Sequence, residues 1–197
     1  MMKISTSNHV TFSTISTYRE AIAEKMSSLE YDGRVLFHMT TTYRPFADRV
    51  YRESDVNVFF INFYIKKLLP FVLGTKNIHT NAKKQIQPIT YTFLDEHEMT
   101  PIKKNIIRPG TNTIQETFEF PIRLHHHSIL AVHPETLERF HELEGTNTLN
   151  DERFSNKIMT SDLKVCDANR VMYASKMMFK YPDFLSFPDR MFRQHVH

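Results

Sequence analysis

Apolar residues along the chain fall into two rhythms, and the switches between them mark out the elements. STYREAIAEKMSSLEY carries Ala21, Ile22, Met26 and Leu29 on one side of a helical wheel, which predicts a short amphipathic helix at the periphery of the fold. Residues 34–43, RVLFHMTTTY, alternate Val35, Phe37 and Met39 against Leu36, His38 and Thr40, the pattern of a strand, closed by Arg44-Pro45. A long helix is expected from Ser54, as its cap, to Gly74. A strand over 88–94, PITYTFL, runs into Asp95-Glu96-His97-Glu98, and a polar loop with Lys103, Lys104, Arg108 and Pro109-Gly110 leads to a strand over 117–132. Pro134 and Glu135 open a helix to about Leu143, with Leu137, Phe140 and Leu143 toward the core. A loop over 144–152, a strand over 157–166 and a helix from Asp167 to Lys180, ended by Pro182, complete the series. The order predicts an α+β fold, an antiparallel sheet covered by helices on one face in a ferredoxin-like sandwich. Residues 34–181 form its single domain, with a peripheral segment at 1–33 and a C-terminal tail at 182–197.

Composition narrows the function classes. A net charge of +3 permits an anionic partner without demanding one. The single Cys166 excludes a disulfide framework and a cysteine-based zinc cluster, which fits a reducing cytosol. With 4 glycines there is no GxGxxG or GxxxxGK loop, so nucleotide hydrolysis is not expected. The N-terminus has no apolar core of signal-peptide length, and residues 56–73 are interrupted by Asn57, Asn62, Lys66, Lys67 and Pro70. That segment is expected to be a buried helix of a soluble cytoplasmic protein, with no membrane partner.

Chemistry concentrates in two places. Arg123-Leu124-His125-His126-His127-Ser128 runs into an apolar strand, so His125 and His127 share one face and His126 points to the other. Two imidazoles at that spacing make half of a site for a divalent metal; the ordinary alternative is a solvated strand end. In the last helix, Ala168, Val171, Met172, Ser175, Met178 and Phe179 form a core stripe on a wheel of about 100° per residue. Asn169, Tyr173, Lys176 and Lys180 form a strip beside it. A neutral phenol attacks poorly at its usual pKa of about 10, so a neighbouring cation gives such a tyrosine a route to nucleophilicity; a tyrosine at the edge of a core with solvated lysines is the ordinary alternative.

HHHSILAVHP resembles the histidine strand of the HUH endonucleases, YASK at Tyr173 to Lys176 resembles the Tyr-x-x-Lys helix of their replication-initiator branch, and LFHMTTTYRP at 36–45 is similar to the initiators' Thr-rich first motif. The three occur in the family's order over about residues 34–180. The resemblance implies a single-tyrosine rolling-circle initiator that nicks single-stranded or hairpin origin DNA and stays attached to the 5′ phosphate. It implies Tyr173 as nucleophile and Lys176 as its electrostatic helper. It also implies Mg2+ or Mn2+ on His125, His127 and one carboxylate. Asp95 and Glu96 both qualify, with a slight preference for Glu96. DNA contacts would come from Thr40, Thr42, Arg44, Arg123, Asn169 and Lys180, and a host helicase and polymerase would be partners. Two departures stand out: His126 replaces the family's bulky apolar residue, and Met177 holds the place of a second tyrosine. His195-Val196-His197 matches the motif literally but has no apolar strand around it, and reads as tail. A transposase or relaxase would share the chemistry. A non-enzymatic single-strand binder would not need the histidines to meet Tyr173.

Overall fold

A computed structural model describes residues 12–43, 51–98, 102–107, 114–119, 122–144 and 158–188. Seven strands form, β1 Val35–Tyr43, β2 Ile89–Glu98, β3 Ile102–Ile107, β4 Ile114–Glu119, β5 Ile122–Val132, β6 Ile158–Val165 and β7 Phe184–Phe187. Five make one sheet in the order β6-β1-β5-β2-β7, with antiparallel neighbours throughout, and β3 pairs with β4 in a separate hairpin. The fold is α+β. Taking β1, β2, β5 and β6 with the helices after β1 and β5 gives β-α-β-β-α-β with the first strand beside the last, the ferredoxin-like order.

Both faces of this sheet are covered, where one was expected. On the first, α2 Glu53–Phe63 continues through a π-helical turn at Tyr64–Leu68 into α3 Leu69–Leu73. Pro70 has no N–H to offer the helical ladder, and the turn just before it widens so that Leu69 N–H donates to Tyr64 O. The shift keeps Val56, Phe60, Phe63, Tyr64, Leu68, Leu69, Val72 and Leu73 on the sheet, against Phe37, Met39, Leu94, Leu130 and Val132. Gly74 ends the run at φ 64°, and a Cβ there would stand 2.5 Å from the Arg139 guanidinium. Residues Glu53–Leu73 are long and apolar enough to cross a membrane by composition, but their buried side chains form this core layer. Helix α4 Asn81–Ile86, capped by the Thr80 hydroxyl, had no signal in the apolar rhythm; α5 Leu137–Leu143 adds Phe140 and Leu143 to the same layer.

The second face belongs to α1 Phe12–Tyr31 and α6 Arg170–Ala174. Ile15, Ile22, Met26 and Leu29 of α1 pack with Val171, Ala174 and Met178 over Leu36, Phe93, Ile129 and Ala131. The N-terminal helix is thus a core layer and not a peripheral addition.

Other boundaries also differ from expectation. The first cap of α2 is Arg52, with Asp55 accepting from its backbone N–H, and not Ser54. Part of the polar stretch after β2 is strand β3, and the single strand over 117–132 is two, β4 and β5. The helix drawn from Asp167 to Lys180 is α only over Arg170–Ala174, then 3₁₀ over Lys176–Phe179. Its Ser175 hydroxyl donates back to Val171 O, competing with the helical ladder at the break. Within the expected tail, buried β7 pairs with β2 through Thr90–Phe93. Most of the loop over 144–152 lies outside the described residues.

Candidate active site

The site forms because β5 is the central strand. In its register with β2, Asp95 stands across from His125 and Phe93 across from His127; in its register with β1, Thr40 stands across from His127 and Thr42 across from His125. Alternation then sends Asp95, His125 and His127 to the α1–α6 face. His127 Nε2 is 3.0 Å and His125 Nε2 3.4 Å from Asp95 Oδ2, and the two nitrogens are 3.2 Å apart. Three ligands about 2.1 Å from one ion, at angles between square and tetrahedral, stand about 3.0–3.4 Å from one another. The Asp95–His125–His127 group therefore fits a metal ion, and its two nitrogens and one carboxylate suit a transition or divalent ion.

Partners outside the trio fix its members. His127 Nδ1 lies 3.1 Å from both His38 Nε2 and Thr40 Oγ1, the kind of outer contact that orients a ligating imidazole. Asp95 is 1% exposed, its Oδ1 accepts from Glu96 N–H at 2.8 Å, and Lys176 Nζ is 2.9 Å from its Oδ2. Burial alone would raise this carboxyl, but the hydrogen bonds from His125, His127, Lys176 and the Glu96 backbone win and hold it well below the usual carboxylate range. Burial pushes His127 down against the pull of Asp95, and pushes His38 down to about 4, so both imidazoles are neutral at pH 7. Lys176 is raised by its bond to Asp95 and stays charged.

Tyr173 stands over this group. Its ring centroid is 5.4 Å from that of His127 and 6.1 Å from that of His38, edge-on to both, and the residue is 44% exposed. Arg170 lies 4.1 Å over the phenol ring, with Lys176 Nζ 4.9 Å from its centroid. α1 secures the other side of this short helix: Arg19 donates to Met172 O at 2.7 Å and to Ser175 Oγ at 2.9 Å. Sequence reasoning found Tyr173 and Lys176 but missed Arg170, three residues before the tyrosine, and His38, two before Thr40 on the same strand face. Arg19 left no signal, because its partners are more than 150 positions away.

Glu96 is not part of the trio, against the slight preference for it. Alternation turns it to the opposite side of β2, where it accepts from Tyr181 Oη at 2.6 Å and pairs with Lys180. Lys180 is accordingly separated from the Tyr173 strip, because the 3₁₀ segment breaks the 100° wheel on which that strip was drawn. Thr40 is engaged with His127, Thr42 stands across from His125, Arg123 is two residues before His125 on β5, and Asn169 is exposed just before α6. Arg44, His195 and His197 fall outside the described residues. His126 is buried on the far face.

No protein-family model matches the chain, and no similar curated protein or solved structure was found.

Proposed function

We propose that this protein nicks single-stranded DNA and joins itself to the 5′ phosphate through Tyr173, in the manner of the HUH initiators of rolling-circle replication. The carrying observation is an exposed phenol, 5.4 Å ring to ring from His127, above a buried Asp95–His125–His127 group. The order of the Thr-rich strand, the histidine strand and the Tyr173–Lys176 helix supports the same reading.

Magnesium or manganese held by Asp95, His125 and His127 would polarise the scissile phosphate. Tyr173 Oη forms the bond to phosphorus as the P–O3′ bond breaks; the phenol proton leaves to solvent, and the departing oxygen takes one up to become a free 3′ hydroxyl. Lys176, charged and close to both Asp95 and the phenol ring, stabilises negative charge as it develops. Arg170 against the ring face restricts how the phenol turns. Tyr181 is a poorer nucleophile: its hydroxyl is committed to Glu96, and burial and then that bond push it up to about 12. Thr42, Arg123 and Asn169 would meet the strand, with origin DNA as substrate, a host helicase and polymerase as partners and the cytoplasm as compartment.

The test is incubation with labelled single-stranded stem-loop oligonucleotides and manganese, followed by denaturing gels. Wild type should give a covalent adduct and Tyr173→Phe none, with oligonucleotide binding retained. An adduct on another tyrosine in the Phe variant refutes the assignment, and no adduct from wild type on any such DNA favours a non-enzymatic single-strand binder.

A further inference from the structure

His38 is buried at the site, 7% exposed, yet has no part in the chemistry above. It reaches the site because β1 alternates Leu36, His38 and Thr40 onto the same face as His127, and His38 sits one alternation step from Thr40, the residue across from His127. Its Nε2 is 3.1 Å from His127 Nδ1, and the two rings are 23° from parallel. Its ring edge also meets Tyr173, with centroids 6.1 Å apart and planes at 82°.

An imidazole that offers its Nε2 lone pair to a cation carries its proton on Nδ1, and a buried N–H needs an acceptor. Thr40 Oγ1 is one acceptor in reach, but a hydroxyl rotates and can turn its own hydrogen toward His127 instead. We infer that His38 is a positioning residue for His127: when a cation takes the place of the Nε2 proton that His127 shares with Asp95, His38 Nε2 accepts the Nδ1 proton and fixes the tautomer whose free Nε2 faces the ion, and the His38 ring holds Tyr173 beside that ligand. The inference rests on the metal reading of the Asp95–His125–His127 group.

Three substitutions in the full chain separate positioning from packing. A glutamine carries its terminal polar group about as far from the backbone as imidazole Nε2, whereas an asparagine stops near Nδ1. Manganese titration by calorimetry should show His38→Ala and His38→Asn weakened by about 10–100-fold and His38→Gln restored to within a few-fold of wild type. Nitrogen-15 spectra recorded with magnesium should show His127 bound through Nε2 and protonated at Nδ1 in wild type and His38→Gln, and a mixture of bound and unbound imidazole at the same magnesium concentration in His38→Ala. Wild-type affinity in His38→Ala, or equal losses in Gln and Ala, overturns the role of His38 while leaving the metal reading standing. No manganese binding by wild type overturns the metal reading and, with it, this inference.

Discussion

Two adjacent histidines, His126 and His127, meet opposite environments on the two faces of one strand. His127 faces Asp95, Thr40 and His38 beneath an exposed tyrosine, with Lys176 and Arg170 within reach of solvent. His126 is enclosed by Tyr43, Asn57 and Phe60. Asn57 Oδ1 accepts from His126 Nε2–H at 2.8 Å, so Nδ1 is left to accept from the Tyr43 hydroxyl, and both ring nitrogens are satisfied without a cation or solvent. Burial pushes His126 down to about 3, which keeps it neutral. The contrast teaches that the triplet is not one metal-binding cluster. Its outer members converge on a carboxylate that also pairs with Lys176, while its middle member ties α2 to the back of the strand carrying the other two.

The sharpest way to break this contrast is substitution on each face in turn. His125→Ala/His127→Ala should abolish manganese binding measured by calorimetry and leave a cooperative denaturation curve. His126→Ala should leave manganese affinity within about tenfold of wild type but lower unfolding stability by about 3–5 kcal/mol, because a cavity opens and the Tyr43 and Asn57 groups lose their partner. If His126→Ala instead abolishes metal binding at unchanged stability, the two faces have been assigned the wrong way round.

A smaller effect belongs to Lys176. Replacing it with Ala should slow adduct formation on the order of 10²-fold in single-turnover assays, since an electrostatic helper is only partly replaceable. An unchanged rate would leave the lysine as a structural partner of Asp95 alone.

Acid sharpens the same comparison. His126 has a folded-state pKa below its unfolded value, so the unfolded chain takes up the proton first. The stability this group contributes is present above pH 6.5 and is lost as pH falls toward about 3. At pH 5 the loss is on the order of 2 kcal/mol. Urea denaturation at pH 7 and pH 5 measures it, and the difference should shrink in His126→Leu; equal differences in the two proteins would exclude His126 as the source.

The smallest expected change is at Glu96. Glu96→Gln removes a partly exposed pairing with Lys180 and should alter stability by less than about 1 kcal/mol, with manganese affinity unchanged. A large loss of affinity would restore Glu96 as the carboxylate ligand.

Alternation along a strand is a local property, so the sharing of a face by His125 and His127, the opposite direction of His126 and the strand-like rhythm of residues 34–43 were all legible in the sequence. So was the long apolar helix ending at Gly74, where periodicity and a terminating glycine agree. The choice between Asp95 and Glu96 was not, because both sit in one acidic run and only the β2–β5 register decides which of them shares a face with His125. Lys180 was drawn with Tyr173 because a wheel assumes an unbroken helix, and the change to 3₁₀ geometry after Ser175 depends on how that serine and Arg19 meet the packed α1–α6 layer. The four residues Phe184–Phe187, bounded by Pro182 and Pro188, are too short to announce a strand by rhythm alone, and the exposed edge of β2 supplies the hydrogen-bonding partners that make them one.

The sequence by itself determined the α+β class, the two histidines on one face and a tyrosine three residues before a lysine in a helical segment, because each depends on residues a few positions apart. Tertiary structure alone decided that Asp95 closes the trio, that His38 backs His127, that Arg170 and Lys176 flank the phenol and that α1 braces the helix carrying it. Those contacts join side chains from β1, β2, β5, α1 and α6, and their distances follow from strand register and layer packing, which no single stretch of chain encodes.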